Sequence, residues 1–202
     1  MKKLLLIDAC VRGADSRTLR LAQRLVQGCT GGGVELSTVP LASLPLTPLD
    51  ADALAQRDAL SAAGRFGHPS FDLAQQFKQA DAVVLAAPFW DLSFPSLLRV
   101  YLERLCVCGL TFHYDELGRI QGDCSPRRLA YVTTRGGYCD DSNPATADHA
   151  QPYLRSLCVM LGVPRFDCLA AEGLDIRGND AEALLEAAEA EADKLAANFW
   201  NV

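Results

Sequence analysis

Hydroxyl side chains near the start of the chain lie where a helix is predicted to begin, and together they predict an anion-binding site. Ser16, Arg17 and Thr18 precede a segment whose apolar residues share one helical face. A serine before such a periodic run is typical of a helix start. The free backbone N–H groups and the dipole at that end of a helix favour an anion, usually a phosphate. The alternative is a capped helix that binds nothing, and this segment alone does not separate the two.

Two later segments carry groups that suit a flat ligand. Residues 89–93 place aromatic rings beside backbone amides, directly after an apolar run that ends at Pro88. Residues 134–138 contain Gly136-Gly137, where the backbone can approach a planar ring closely. Phe89 and Trp90 have a simpler interpretation as core or interface aromatics. Arg135, between these glycines and Thr134, has a simpler interpretation as an exposed surface charge.

Five predicted strands, alternating with helices, would bring these segments together. The run at 82–87 has no polar residue, which is typical of a central strand covered on both faces. Alternating strands and helices indicate a parallel sheet with helices on both faces. Ligands of such sheets bind outside the carboxyl ends of the strands, where all three segments should meet. The predicted strands are 4–7, 34–39, 82–88, 129–134 and 165–171, and residues 109–126 form an irregular arm with room for a hairpin.

A phosphate attached to a flat heteroaromatic ring would satisfy the three segments together. FMN fits better than NAD alone, because the first loop lacks the pattern G-x-G-x-x-G. The second strand also lacks the usual acidic residue at its end.

Composition limits the class of protein. At 202 residues, the chain is most simply one domain spanning 1–202. Its net charge of -6 gives no bulk electrostatic argument for binding nucleic acid or an anionic membrane. No segment approaches the ~20 apolar residues of a membrane span. The apolar start is too short for a signal peptide and is interrupted by Asp8, so we expect a cytoplasmic protein.

The eight cysteines predict buried, reduced thiols rather than disulfides, because the chain is not small and shows no secretory signal. With no Cys-x-x-Cys and only three histidines, no metal-ligand spacing is present. Cys106-x-Cys108, at the end of a predicted helix, leaves a metal or redox role open as the less favoured reading.

Five short motifs, spread in order over nearly the whole chain, resemble one family. They are RGADSRT at 12–18, AAPFWDLSFP at 86–95, GLTFHY at 109–114, TTRGG at 133–137 and AEG at 171–173. This set is similar to the FMN-dependent NADH-azoreductases and quinone reductases, within the flavodoxin-like oxidoreductases. The resemblance implies an α/β fold with a doubly wound, five-stranded parallel sheet of order 2-1-3-4-5 and helices on both faces.

The resemblance also implies which residues contact FMN. Serine often stands in the family where this chain has Cys10, and Tyr-Asn often stands where it has Trp90-Asp91. A carboxylate at Asp91 would disfavour negative charge on the reduced flavin and lower its reduction potential. The implied cofactor-binding residues are Cys10, Ser16, Arg17, Thr18, Phe89, Trp90, Asp91, Leu92, Thr134, Arg135, Gly136 and Gly137.

The activity implied is a two-electron transfer from NADH or NADPH to a quinone, an azo compound or a similar small acceptor, with ping-pong kinetics. The chemistry would take place at flavin N5, so no catalytic side chain and no metal is expected. The resemblance implies a homodimer with a site at each subunit boundary, roofed in part by the arm at 109–114. Phe112 and Tyr114 are weaker candidates for a substrate pocket, and His113 is more readily structural than a catalytic acid.

Two other classes of function stay open. A flavodoxin-type electron carrier would have a small chain and a strongly acidic face, and the additional segments at 40–69 and 109–126 count against it. A non-catalytic flavin-binding or regulatory protein on the same scaffold is kept open by Cys10 and Asp91.

Overall fold

Helices separate the successive strands of the main sheet, in the order that the sequence predicts. The structure is a computed structural model that describes residues 1–201, so Val202, the last residue of the predicted domain, lies outside the described residues. The strands are β1 (Lys2–Asp8), β2 (Val34–Pro40), β3 (Ala82–Ala86), β4 (Phe112–Tyr114), β5 (Ile120–Gly122), β6 (Arg128–Thr134) and β7 (Arg165–Ala171). The helices are α1 (Arg17–Cys29), α2 (Ala51–Ala62), α3 (Asp72–Gln79), α4 (Ser96–Leu105), α5 (Ala150–Leu161) and α6 (Ala181–Ala197).

Five of the strands form one parallel sheet, in the order β2-β1-β3-β6-β7. Counted within this sheet alone, that order is 2-1-3-4-5, and the predicted topology is confirmed. The strands β4 and β5 pair separately as an antiparallel hairpin in the arm at 109–126.

Helices cover both faces of the sheet, which explains the continuous apolar runs of its central strands. In β3, Val83 and Leu85 pack with α3, α4 and α5, whereas Val84 and Ala86 pack with α1 and α6.

Among residues 1–201, no helix is both long enough and apolar enough to cross a membrane.

The helix α1 is fixed by a close contact with α6. A Cβ atom at Gly28 would lie 2.6 Å from Cβ of Ala196, so only glycine allows the two helices this separation. Ser16 caps the start of α1, where its hydroxyl accepts a hydrogen bond of 3.2 Å from the Leu19 N–H. The amino end of α1 is therefore held at the carboxyl edge of the sheet.

The β4–β5 hairpin lies at the opposite, amino edge of the sheet. A Cβ atom at Gly122 would lie 2.0 Å from the Gly162 nitrogen, at the carboxyl end of α5. Nearby, the Cys124 N–H donates a hydrogen bond of 3.2 Å to the Leu161 carbonyl. Because α5 leads into the first residue of β7, these contacts place the hairpin beside the start of the strands.

Candidate functional site

A cavity of about 350 Å³ opens at the carboxyl edge of the sheet, where the three predicted loops meet. The loop after β1 and the start of α1 form one side. The loops after β3 and β6 form the other. The lining residues are Cys10, Val11, Arg12, Asp15, Ser16, Arg17, Thr18, Pro88, Phe89, Trp90, Thr134, Gly136 and Asp175. The predicted convergence of these loops is thereby confirmed, while the roles of individual residues stay predictions.

The amino end of α1 offers this cavity unpaired donors. The N–H groups of Arg17 and Thr18 belong to the first turn, where no intrahelical acceptor exists. Both residues and the buried Ser16 line the cavity. Together with the helix dipole, they form an electropositive surface suited to an anion.

A carboxylate holds the one charged side chain of this turn. The guanidinium of Arg17 donates a hydrogen bond of 2.8 Å to Asp175 Oδ1 and another of 3.3 Å to the Leu174 carbonyl. Asp175 lies in the loop after β7 and was not predicted as a site residue. Its position just after the last strand could have indicated a site residue, since ligands bind at that edge of the sheet. The pairing with Arg17, however, depends on the three-dimensional structure.

Cys10 contributes surface rather than charge. Burial raises the pKa of its thiol to about 12, so the thiol is neutral at pH 7. The sulfur lies 3.7 Å from the Ala86 carbonyl oxygen, to which the thiol donates weakly.

The loop after β3 makes a tight turn in an uncommon conformation. Trp90 and Ser93 exchange two backbone hydrogen bonds, of 2.9 and 2.8 Å. Between them, Asp91 has φ 49° and Leu92 has φ 65°, as in a type I′ turn. Aspartate tolerates this left-handed region, but leucine rarely adopts it. This turn was not predicted from the sequence, because the turn contains no glycine.

The same turn separates the cavity from a second groove of about 530 Å³. Trp90 lines both spaces, whereas Asp91 faces the groove. The other groove residues are Ser93, Phe94, Pro95, Ser96, Arg99, His149 and Tyr153. A ligand in the cavity would therefore lie beside a partly aromatic surface.

The loop after β6 faces the cavity through Thr134 and Gly136. The Thr134 hydroxyl is hydrogen-bonded to that of Thr18, with 2.6 Å between the oxygens. A Cβ atom at Gly136 would lie 2.6 Å from Oδ2 of Asp175, whereas one at Gly137 would have no described atom within 4 Å. Glycine at 136 thus makes room for Asp175, a reason that differs from the close approach to a ligand expected from the sequence.

Arg135 is not the surface charge that one interpretation proposed. Its side chain is buried, and the guanidinium pairs with the carboxylates of Asp148 and Glu172. It also lies over the ring of Phe89, 5.0 Å from the centroid. Burial lowers the pKa of Arg135, but the two carboxylates outweigh this and leave the pKa above its usual value. The side chain therefore connects the loops after β3 and β6 from behind the cavity.

The structure does not bring Phe112 and Tyr114 to the cavity of the same chain. Both lie on the β4–β5 hairpin at the other edge of the sheet, where Tyr114 is 57% exposed. His113 lies between them, and its Nδ1 is 2.8 Å from Oδ2 of Asp123. The two aromatic rings could line a substrate pocket only at the cavity of a second copy of the chain.

Across residues 1–201, no group of three or more His, Cys, Asp or Glu side chains is arranged to hold a metal ion.

Comparisons with known proteins agree with this geometry. The family model described as a flavodoxin-like fold matches residues 2–196. Over 201 residues, the chain is 32% identical to the FMN-dependent NADH:quinone oxidoreductase of Gluconobacter oxydans, covering 96% of this chain and 100% of that protein. Over 132 residues, it is 36% identical to FMN-dependent NADH:quinone oxidoreductase 2 of Clostridium acetobutylicum, covering 65% of this chain and 66% of that protein. The crystal structure of an FMN-dependent NADH-azoreductase from Bacillus anthracis in complex with FMN is similar in fold. Its TM-score is 0.85 at 20% identity, covering 98% of this chain and 99% of that one.

Proposed function

Because the chain belongs to the family with the flavodoxin-like fold, matched over residues 2–196, we propose that it is an FMN-dependent NADH:quinone oxidoreductase. The observation that carries the proposal is the cavity in which the amino end of α1 meets the loops after β3 and β6. The relative from Gluconobacter oxydans, aligned over nearly the full length of both proteins, bears this name.

The residues present fit FMN at both ends of the cavity. A phosphate would accept hydrogen bonds from the free N–H groups of α1 and from the side chains of Arg17 and Thr18. The ring would lie against Phe89 and Trp90 on one side and the loop of Gly136 on the other. Arg12 and Arg17 offset the carboxylates of Asp15 and Asp175, so the cavity does not repel a dianion through its own charge.

The chain's own residues would bind and orient the FMN, and no side chain is needed as an acid or a base. Bound FMN would supply two-electron transfer at its N5 atom. The turn at 90–93 and the loop at 134–137 would fix the ring and keep water from its protein-facing side. Backbone N–H groups of these loops would donate to its polar edge. Cys10, a neutral thiol at pH 7, would add packing without charge.

For the two substrates, we propose the partly aromatic groove beside Trp90. NADH is the donor named for the relatives, and the acceptor is a quinone, an azo compound or a similar electrophile. Phe94 and Tyr153 offer stacking surface, and Arg99 offers a cation. If donor and acceptor use one surface in turn, the kinetics are ping-pong.

We also propose a homodimer, located in the cytoplasm, in which the hairpin of one copy covers the site of the other. Three apolar residues near its tip are exposed: Tyr114 by 57%, Leu117 by 75% and Ile120 by 46%. Exposed apolar groups in one place favour a protein contact. Their distance from the cavity of their own chain favours a second copy as the partner.

The test has two stages. Purified protein is first titrated with FMN, and saturable uptake with absorbance near ~450 nm is expected of a bound oxidised flavin. The loaded protein is then reduced anaerobically by NADH in a stopped-flow instrument and mixed with a quinone. Rapid reduction and rapid reoxidation are expected. A protein that takes up no FMN would refute the proposal, and reoxidation only by one-electron acceptors would indicate a carrier instead. A requirement for NADH and quinone together would refute the ping-pong part alone.

A further inference from the structure

Arg135 carries a buried charge at the meeting point of two loops that face the cavity. On one side, its guanidinium lies over the ring of Phe89, at the start of the loop after β3. On the other side, it pairs with Asp148 and Glu172. Its relative exposure is 6%. A buried ion pair of this kind often adds no stability over packed apolar residues, so stability alone does not explain it.

Asp148 continues the connection into the turn at 90–93. Its Oδ1 accepts hydrogen bonds from the N–H groups of Ala150 and Gln151, of 2.7 and 3.0 Å, which fixes the start of α5. The next residue, His149, donates its N–H to the Leu92 carbonyl at 2.9 Å. Arg135 thus reaches the turn at both ends, through Phe89 before it and through Asp148 and His149 behind it.

The turn needs such support, because its conformation is unfavourable by itself. Leu92, at φ 65°, has a side chain that clashes with its own backbone in the left-handed region. Residues held in this way keep their conformation only when their surroundings impose it. The Trp90–Ser93 hydrogen bonds close the turn and favour its type I′ geometry, but they do not remove the steric cost of the left-handed conformation at Leu92.

We propose that Arg135 is a positioning residue, which holds the turn at 90–93 in its left-handed conformation and so prepares the cavity for FMN. This inference rests on the proposed function, since it takes FMN as the ligand. It assigns to the Arg135 side chain a role behind the site, in addition to any contact made by the backbone of its loop.

The test uses the affinity for FMN in two backgrounds. Arg135→Gln in the native sequence should weaken FMN binding about tenfold, because the turn must then be ordered at the time of binding. Glycine adopts the left-handed region without cost. With Leu92→Gly already present, the same Arg135→Gln change should therefore weaken binding by no more than about twofold. Equal losses in the two backgrounds, or no loss in the native one, would overturn the inference.

Matched variants separate positioning from general destabilisation. Arg128 is a second fully buried arginine at the opposite end of β6, where it pairs with Asp167 at 2.9 Å. Arg128→Lys should lower the melting temperature and leave the FMN dissociation constant of the folded protein unchanged. Arg135→Lys keeps the charge but loses the planar fork, and it should weaken FMN binding. This pair also decides the question if Arg135→Gln does not fold: equal FMN affinities of the two lysine variants would contradict the inference. Failure of the native protein to bind FMN would refute the proposed function instead.

Discussion

The hydroxyl groups of Thr18 and Thr134 are hydrogen-bonded across the floor of the cavity, with 2.6 Å between their oxygens. Thr18 belongs to the first turn of α1 and Thr134 is the last residue of β6. This bond fixes the distance between the surface suited to a phosphate and the loop suited to a ring. This hydrogen bond could not be predicted from the two residue types, since the threonines lie 116 positions apart in the sequence.

Thr18→Val should therefore weaken FMN binding more than it weakens the fold. Valine has a similar shape but no hydroxyl, so the two loops lose their link and the phosphate loses the donor proposed at Thr18. We expect a dissociation constant about tenfold higher, in line with ~1 kcal/mol for each hydrogen bond that is lost. Fluorescence titration of FMN measures the change.

Thr133→Val is the matched control for this experiment. Thr133 is buried one position earlier in β6, and its side chain points to the other face of the sheet. Its replacement should leave the affinity for FMN within about twofold. If both variants lose affinity equally, the link between Thr18 and Thr134 has no special role.

The sequence predicted the sheet order and the meeting of three loops, because both follow from local patterns. Apolar runs mark the strands, and parallel strands bring the loops after them to one edge. The pairing of Arg17 with Asp175 was not predicted, since their contact depends on how the last loop folds back. The burial of Arg135 was missed for the same reason: its two carboxylate partners lie 13 and 37 positions away.

The left-handed conformation of the turn at 90–93 and the position of the β4–β5 hairpin were also not predicted from the sequence. A glycine would have indicated a left-handed turn, but Asp91 and Leu92 adopt this conformation in a turn that contains no glycine. The hairpin was foreseen as an element, and its pairing of Phe112 with Gly122 agrees with that. Its place at the amino edge was not foreseen, because it depends on the contact between Gly122 and the end of α5.

Arg17→Ala should reduce the affinity for FMN but not that for riboflavin. The two ligands differ only by the phosphate, so a residue that contacts the phosphate discriminates between them. We expect FMN binding to weaken roughly tenfold or more, as for the loss of a hydrogen bond to a charged group, and riboflavin binding to stay within about twofold. Arg20→Ala, one turn away and paired with Glu182 and Glu189, is the control. Equal losses for both ligands would place the phosphate elsewhere.

The free energy of unfolding should fall as the pH rises above 9. Burial raises the pKa of Cys29 and of Cys158 to about 12, from an ordinary value of 9.0. Below pH 9 both thiols are protonated in the folded and the unfolded chain, so their stabilisation is fully present. Between pH 9 and 12, only the unfolded chain releases these protons, which costs about 1.4 kcal/mol per pH unit for each thiol.

Urea unfolding at several pH values between 8 and 10.5 would measure this slope. Cys158→Ala should make the slope shallower by nearly one proton, while Cys108→Ala, at an exposed position, should leave it unchanged. An identical slope in all three proteins would mean that the buried thiols do not govern alkaline stability.

The exposed tip of the β4–β5 hairpin should control the oligomeric state. Replacing Tyr114 and Leu117 by serine removes the two most exposed apolar side chains of the tip. We expect a dimer for the native chain and a monomer for this double variant in sedimentation or light scattering, with the melting temperature of the monomer reported alongside. Leu54→Ser, an exposed position on α2, should leave the dimer intact. A native monomer, or a double variant that still dimerises, would refute this role of the hairpin.

Asp91→Asn should raise the reduction potential of bound FMN. The carboxylate belongs to the turn beside Trp90, and a fixed negative charge there disfavours electrons added to the ring. Asparagine also tolerates φ 49°, so the turn should persist and the charge alone should change. We expect a rise of roughly 30 mV, which for two electrons corresponds to about 1.4 kcal/mol, measured by equilibration with a dye of known potential. Asp15→Asn is the control and should change the reduction potential less than Asp91→Asn. Asp15 lies beside the start of α1, at the end of the cavity suited to a phosphate. An unchanged or lower potential in Asp91→Asn would mean that the carboxylate is too well screened to act on the flavin. The departure from asparagine at this position would then have no effect on the flavin potential.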